Sequence, residues 1–340
     1  MKKAQEKTQT DLFGPGATLH GVLGAAGSPG EAVRAAAMAV SNPGATPLER
    51  ALAGRTGRII ADTAAAALQR DIEGGGLTGY SYSAWCLAGL PHRELPAGDA
   101  WLIESDYARL LVRPGVRLME DGSQVALAVP SGSFARLLLV ELQSAALEKA
   151  SREVDLEVSA SALVSRLGLA RGGPTNGKVA AQLERIATCN MDFAFGTDKR
   201  GVVVNQRLVD AYEYVADPDR RTRASLRLVR RLALSEPFYN ELRRHPVLVD
   251  KRAIQDLASS PMAIDLYLWL AYRLHALEDD VEIGWVRLKS QFGTGVRLLK
   301  NFKTQVMPPL YQALAAYPGA RVSVTDRGLL LRRSAPPIAA

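Results

Sequence analysis

The sequence predicts an α+β protein, mainly helical, in which one structural unit is built twice in series behind a flexible Ala/Gly-rich N-terminal segment. Three observations carry this. The order strand, short helix, turn, second helix, hairpin is legible at 155–205 and again at 281–333. Residues 1–75 are rich in Ala, Gly, Ser and Pro and lack the periodicity that builds a core. Charge is unevenly placed: residues 220–340 hold 20 Lys and Arg against 10 Asp and Glu, a net of +10, so the first 219 residues net −3 of the overall +7.

A chain of 340 residues has room for two ordinary cores, and 47% hydrophobic with 23% charged residues is a globular composition. Positive charge gathered in one region points to a polyanion, first of all nucleic acid. Cys86 and Cys189 form neither a metal-ligand spacing nor a disulfide framework, which suits a reducing cytoplasm. No signal segment is read at the N-terminus. PMAIDLYLWLAYRL (261–274) is shorter than the ~20 residues a bilayer demands, and it carries Asp265 and Arg273. It reads as a buried helix, with no membrane partner.

In chain order, EAVRAAAMAV (31–40) is a possible short helix within the flexible 1–75. The first unit is expected over 76–214. WLIESDYARLLVRPGVRL (101–118) reads as strands punctuated at Pro114-Gly115, and SGSFARLLLVELQSAALEKA (131–150) as a helix capped by Ser131 or Ser133. DLEVS (155–159) is a short strand, ASALVSRLGL (160–169) a short helix, and KVAAQLERIATC (178–189) a second helix. MDFAFGTDKRGVVVN (191–205) is a hairpin. VADPDRRT (215–222) is expected to be the linker to a second unit over 223–335. There VEIGW (281–285) is a strand, VRLKSQF (286–292) a helix, 296–307 the second helix and ARVSVTDRGLLLRR (320–333) the hairpin. Helix, turn, helix, hairpin is the order of a winged helix, so the expected architecture is two winged-helix domains in tandem.

RGGPTNGKV (171–179) is one residue short of a nucleotide-binding loop. Val179 stands where such a loop needs a magnesium-binding hydroxyl, and the segment before it has helical rather than strand spacing. The residues are better explained as the turn before a helix, with Thr175 or Asn176 as its cap. No cofactor, metal or catalytic residue is assigned. His20, His92, His245 and His275 are isolated in sequence, and Tyr239 and Tyr272 have no local base.

On the first unit's second helix, Val179, Leu183 and Ile186 share one face, while Lys178, Arg185 and Thr188 lie opposite and Gln182 is on the flank. Lys178, Gln182 and Arg185, with Thr175, are candidate DNA contacts. On the second unit's helix, Leu298, Leu299, Phe302 and Val306 form the expected buried stripe, opposite Arg297, Lys300, Asn301 and Thr304. Arg paired with guanine and Asn with adenine are favoured major-groove contacts, so this face suits base reading. Lys303 joins the set, and Lys289, Arg321 and Arg327 are placed to grip phosphates. Pro308-Pro309 is expected to kink or end the helix. RRTRASLRLVRR (220–231) holds six arginines and no acid, and suits a strand with a basic edge.

Taken together, YSYSAWCLAGLPHRELP (80–96), PSGSFARLLLVELQSAAL (130–147), SPMAIDLYLWLAYRLH (260–275), QFGTGVRLLKNFK (291–303), YPGARVSV (317–324) and GLLLRRSAPPI (328–338) resemble the plasmid-encoded RepA replication-initiator family. The resemblance implies binding of repeated sites in double-stranded origin DNA, with helix 296–307 in the major groove. It also implies a homodimer in equilibrium with monomer, the first domain supplying much of the dimer surface. Recruitment of a host initiator or helicase would follow. QTDLF (9–13) resembles the peptide by which bacterial replication proteins engage the sliding clamp, with Leu12 and Phe13 as apolar anchors and Gln9 as the polar contact. The expectation is a cytoplasmic, non-enzymatic initiator. A winged-helix transcriptional repressor is the alternative, and a primase or nicking enzyme a more distant one.

Overall fold

The computed structural model describes residues 57–105, 108–156, 159–197, 200–216 and 227–338. The helix expected at 31–40 and the clamp-like Gln9, Leu12 and Phe13 lie outside them. The protein is mixed α/β, and no helix among the described residues is long and apolar enough to cross a membrane.

The first helix, α1 (Gly57–Glu73), corrects the reading of 1–75 as a flexible segment throughout. Ile60, Ala61, Ala64 and Ala67 are all buried, at helical spacing, and the helix packs on the long C-terminal helix of the chain. Arg70 ties it down further through ion pairs with Asp250, at 3.3 Å, and Asp256. Alanines give a weak hydrophobic signal, yet their small face lets two helices approach closely.

A first set of elements follows. β1 (Thr78–Tyr82) leads into a tight turn at Ser83–Cys86. Then come β2 (Trp101–Glu104), β3 (Ala108–Arg113) and the small ribbon of β4 (Val116–Leu118) and β5 (Gln124–Ala126). Helix α2 (Gly132–Glu148) is buried on most sides. It is followed by β6 (Glu153–Asp155), α3 (Ala160–Arg166) and α4 (Gly173–Thr188). α4 starts earlier than expected, with Gly172 rather than Thr175 or Asn176 as its cap, because Pro174 is preset for a first helical turn.

The expected hairpin forms as β7 (Asn190–Thr197) and β8 (Arg200–Arg207), but it completes the sheet of β2 and β3 in the order β2-β3-β7-β8. A second hairpin, β9 (Val209–Ala216) and β10 (Arg227–Leu234), forms the sheet of order β6-β10-β9. This corrects the linker. Val215 and Ala216 are ladder residues opposite Leu228 and Arg227, and the rest of 215–222 lies outside the described residues. The described part of the arginine-rich run, 227–231, is strand as expected, and it lies in β10, the central strand of its sheet.

The second set comprises α5 (Glu236–Arg244), β11 (Pro246–Asp250), α6 (Lys251–Asp256), α7 (Pro261–Leu274), β12 (Val281–Gly284), α8 (Trp285–Phe292), α9 (Leu299–Ala316), β13 (Arg321–Val324) and β14 (Gly328–Arg332). Side-chain caps from Ser159, Ser235, Asp250 and Ser260 start α3, α5, α6 and α7. α7 is the buried helix expected at 261–274, with Ala263–Ala271 shielded throughout. The last sheet has the order β12-β14-β13, the same succession of first, third and second strand as β6-β10-β9.

The two sets share a single core cluster, which runs from Ile60 to Leu331. β1 pairs antiparallel with β11, from Thr78 opposite Asp250 to Tyr82 opposite Pro246. Gln291 Nε2 donates to the Cys86 carbonyl at 2.7 Å, and Gln255 Nε2 to that of Arg166 at 3.0 Å. At the centre of the joint, the Arg136 guanidinium on α2 holds the Asp265 carboxylate on α7 through two contacts of 2.6 Å, and His92 Nε2 lies 2.8 Å from the same carboxylate.

Candidate nucleic-acid interface

The second set raises its outer face on a rigid frame. β12 pairs with β14, and the Trp285 amide donates to the Arg327 carbonyl at 2.9 Å, so α8 starts directly from the hairpin turn. Trp285 Nε1 donates to the Asp326 carbonyl at 3.0 Å, and Thr325 Oγ1 reaches Glu282 Oε1 at 2.7 Å. Gly328 is required at the crossing, since a Cβ there would sit 1.9 Å from the Ile283 carbonyl oxygen. Between α8 and α9 the chain turns through Gly295, whose φ of +85° lies in the region that glycine favours.

α9 begins at Leu299, so Arg297 stands in the extended lead before the helix rather than on it. The first half of α9 buries only Phe302 and Val306; the second half is embedded, from Leu310 to Ala316. Pro308 and Pro309 sit inside the helix and do not end it, which overturns the second of the two expected outcomes, a kink or an end. Each proline removes one backbone N–H, but Leu310 and Tyr311 are wholly buried just beyond, and packing against α1 and α7 outweighs the lost bonds. The protruding half carries Lys300, Asn301, Thr304 and Gln305, all exposed, with Arg297 exposed just before it.

Leu298 is a correction. Instead of joining the buried stripe it is the N-cap residue and is 57% exposed, because the helix starts at Leu299, three residues later than expected, and Leu299 takes the inward position. Lys303 turns back, its Nζ 5.3 Å from the Trp285 ring centroid and 3.4 Å from the Asp326 carbonyl, and so braces α9 against the hairpin. Arg327 is exposed at the hairpin tip and pairs with Glu282 at 2.8 Å. Lys289 lines a depression of about 410 Å³ with Ser290, Gly293, Thr294 and Arg297 on one side and Leu102–Glu104 of β2 on the other. Arg321 is not part of this group. It follows the far end of α9, a helix about 27 Å long at 1.5 Å per residue, and faces Arg332 across the ladder.

The first set is arranged differently. α4 lies between α2 and the β9–β10 hairpin, and both flanks are occupied. Gln182 is buried, its Oε1 accepting from the Ser131 amide at 2.9 Å. This contact satisfies the start of α2, whose Ser131 makes no side-chain cap. Arg185 pairs with Glu94 at 2.6 Å, which holds that carboxyl below its ordinary range. Glu184 is buried against Arg117 at 2.7 Å. Of the four candidates on this helix, Lys178 alone is exposed and Thr175 is half-buried. Sequence reasoning missed Arg117, Arg136 and Glu184. All three are ordinary polar residues until a partner far along the chain is known. Among the described residues there is no cluster of three metal-ligating side chains.

Comparison with known proteins adds the following. Residues 129–285 match the family described as plasmid encoded RepA protein. The matched stretch runs from the loop before α2 to the first residue of α8, and the family is the one that the sequence resembles. The exposed half of α9 lies C-terminal to the match. No curated protein matches the chain. Among solved structures, the selenomethionine crystal structure of domains 2 and 3 of RctB aligns at 13% identity with a TM-score of 0.48, covering 74% of this chain and 96% of that one. A second structure of RctB domains 2–3 aligns at 10% identity and a TM-score of 0.44, with 74% and 94% covered.

Proposed function

We propose that the protein initiates plasmid replication by binding repeated origin sites in duplex DNA, with two winged helices of which the second reads sequence. The observation that carries this is the outward half of α9, where Arg297, Lys300, Asn301 and Thr304 stand exposed together on a helix whose other end is anchored in the core. Base-edge donors on a protruding helix, next to a hairpin with a basic tip, are what a major-groove reader needs. The shared strand order of β6-β10-β9 and β12-β14-β13 supports reading both sets as winged helices. The first unit's wing is then β9–β10, and β7–β8 is an insertion between its helix and its wing.

The occupied flanks of α4 make the first unit the lesser reader, with Lys178 as its phosphate contact. Its part in a homodimer is supported by the exposed apolar side chains of Val116, Leu118 and Val125 on the small ribbon and of Tyr214 and Val215 on β9. Arg227 links the two surfaces, donating to the Leu118 carbonyl at 2.7 Å while lying 4.2 Å from the Tyr214 ring centroid. The protein acts without catalysis, and host replication proteins, the sliding clamp among them, are its further partners.

Footprinting of the purified chain on the DNA around its own gene tests the reading. Direct repeats should be protected, with affinity falling steeply as salt rises. Arg297→Ala and Asn301→Ala should each cost roughly 1–3 kcal/mol on the cognate repeat and little on other DNA. Lys289→Ala should weaken all duplexes alike. Equal losses on every DNA for all three variants would remove α9 as the reading element, and a lone inverted repeat would favour a repressor.

A further inference from the structure

The geometry points to Leu298 as a specificity residue that reads the 5-methyl group of thymine, beside Asn301 reading adenine. The inference rests on the proposed duplex-binding role of α9. Within residues 236–338 two large apolar side chains are exposed, Val286 on α8 and Leu298, and only Leu298 adjoins the outward end of α9.

Its position is an unusual one for a leucine. An N-cap is normally Ser, Thr, Asp or Asn, whose oxygen accepts from the second or third helical amide. Leu298 forms no such bond, so the helix forgoes its cap. Nor does the side chain serve the core, because Leu299 supplies the inward contact. What surrounds it is positive and polar: Arg297 before it, and Lys300 and Asn301 at the second and third helical positions, over which an N-cap side chain lies.

A polyanion fits the charges, and among polyanions duplex DNA offers an apolar group in the major groove, the thymine methyl. Asn pairs with the N6 and N7 edge of adenine, and an A·T pair presents that edge and the methyl side by side. Leu298 and Asn301 are thus spaced to address one A·T pair or two adjacent ones.

The test uses full-length protein and a duplex it has selected from a random pool, compared with copies in which each thymine in turn is replaced by uracil. This removes only the methyl group. For the wild type, one or two positions should weaken about fourfold on loss of the methyl, the equivalent of ~0.8 kcal/mol per buried methyl-sized group. Leu298→Ala should bind the thymine and uracil duplexes equally, whereas Leu298→Met, which keeps the apolar reach, should retain the difference. Circular dichroism of both variants checks that the fold is intact. If the wild type is indifferent to every uracil, or Leu298→Ala keeps its full methyl preference, the inference fails while the recognition role of α9 stands. If the wild type selects no duplex, both fail together.

Discussion

Asp265 sits at the joint between the two units, almost wholly buried, and is the residue with most to lose. Burial alone would push its carboxyl up; the Arg136 guanidinium and His92 outweigh that and hold it below the ordinary aspartate range. Removing either member of the close pair leaves an uncompensated buried charge. Asp265→Asn or Arg136→Ala should therefore cost about 3–5 kcal/mol in urea unfolding, and a loss under 1 kcal/mol would show the pair to be dispensable. The sign with pH follows from the depressed value. The contribution is complete above the ~3.9 of an unfolded aspartate and is lost as pH falls through the lower folded one. Acid should thus narrow the gap between wild type and Asp265→Asn. Neither partner was legible as such. Asp265 showed only as a polar interruption of an apolar helix, and Arg136 lies 129 residues away. Gln182 and Arg185 make the same point on α4: a helical wheel separates a polar face from an apolar one, but it does not say that a loop covers the polar face.

Among the elements, α1 and α9 depart most from the sequence reading, and for one reason: they pack on each other. Ile60 is fully buried on α1. Ile60→Ala should cost about 2–5 kcal/mol, and a chain starting at residue 76 should melt at lower temperature, since its loss bares the embedded half of α9. An unchanged melting temperature for the truncated chain would return 57–73 to the loosely attached segment it was expected to be. The same contact lets α9 run through Pro308-Pro309, where local rules would stop it. α7, by contrast, was legible almost to the residue, because its apolar run, its Ser260 cap and its Pro261 start all agree.

At the scale of the whole molecule, two units expected to be separated by a linker share one core and one strand pairing, β1 with β11. The two halves should therefore unfold in a single calorimetric transition, with the calorimetric and van't Hoff enthalpies equal. Two resolved transitions would contradict the shared core. Cys86 and Cys189 offer an independent probe. Both are buried, and burial pushes their thiols up, that of Cys189 to about 12. They should react with a thiol reagent only as that same transition proceeds.

The helix, turn and second helix of each unit, the core stripe of α7 and the basic, polar character of the outward face of α9 were set by the sequence alone. These depend on period and residue chemistry within a dozen positions. Only the tertiary structure decided which hairpin completes which sheet, that 57–73 docks, that α4 is hemmed in while half of α9 stands free, and that Leu298 faces outward. Each of these turns on contacts between segments distant in the chain, where burial and ion pairing outweigh local preference.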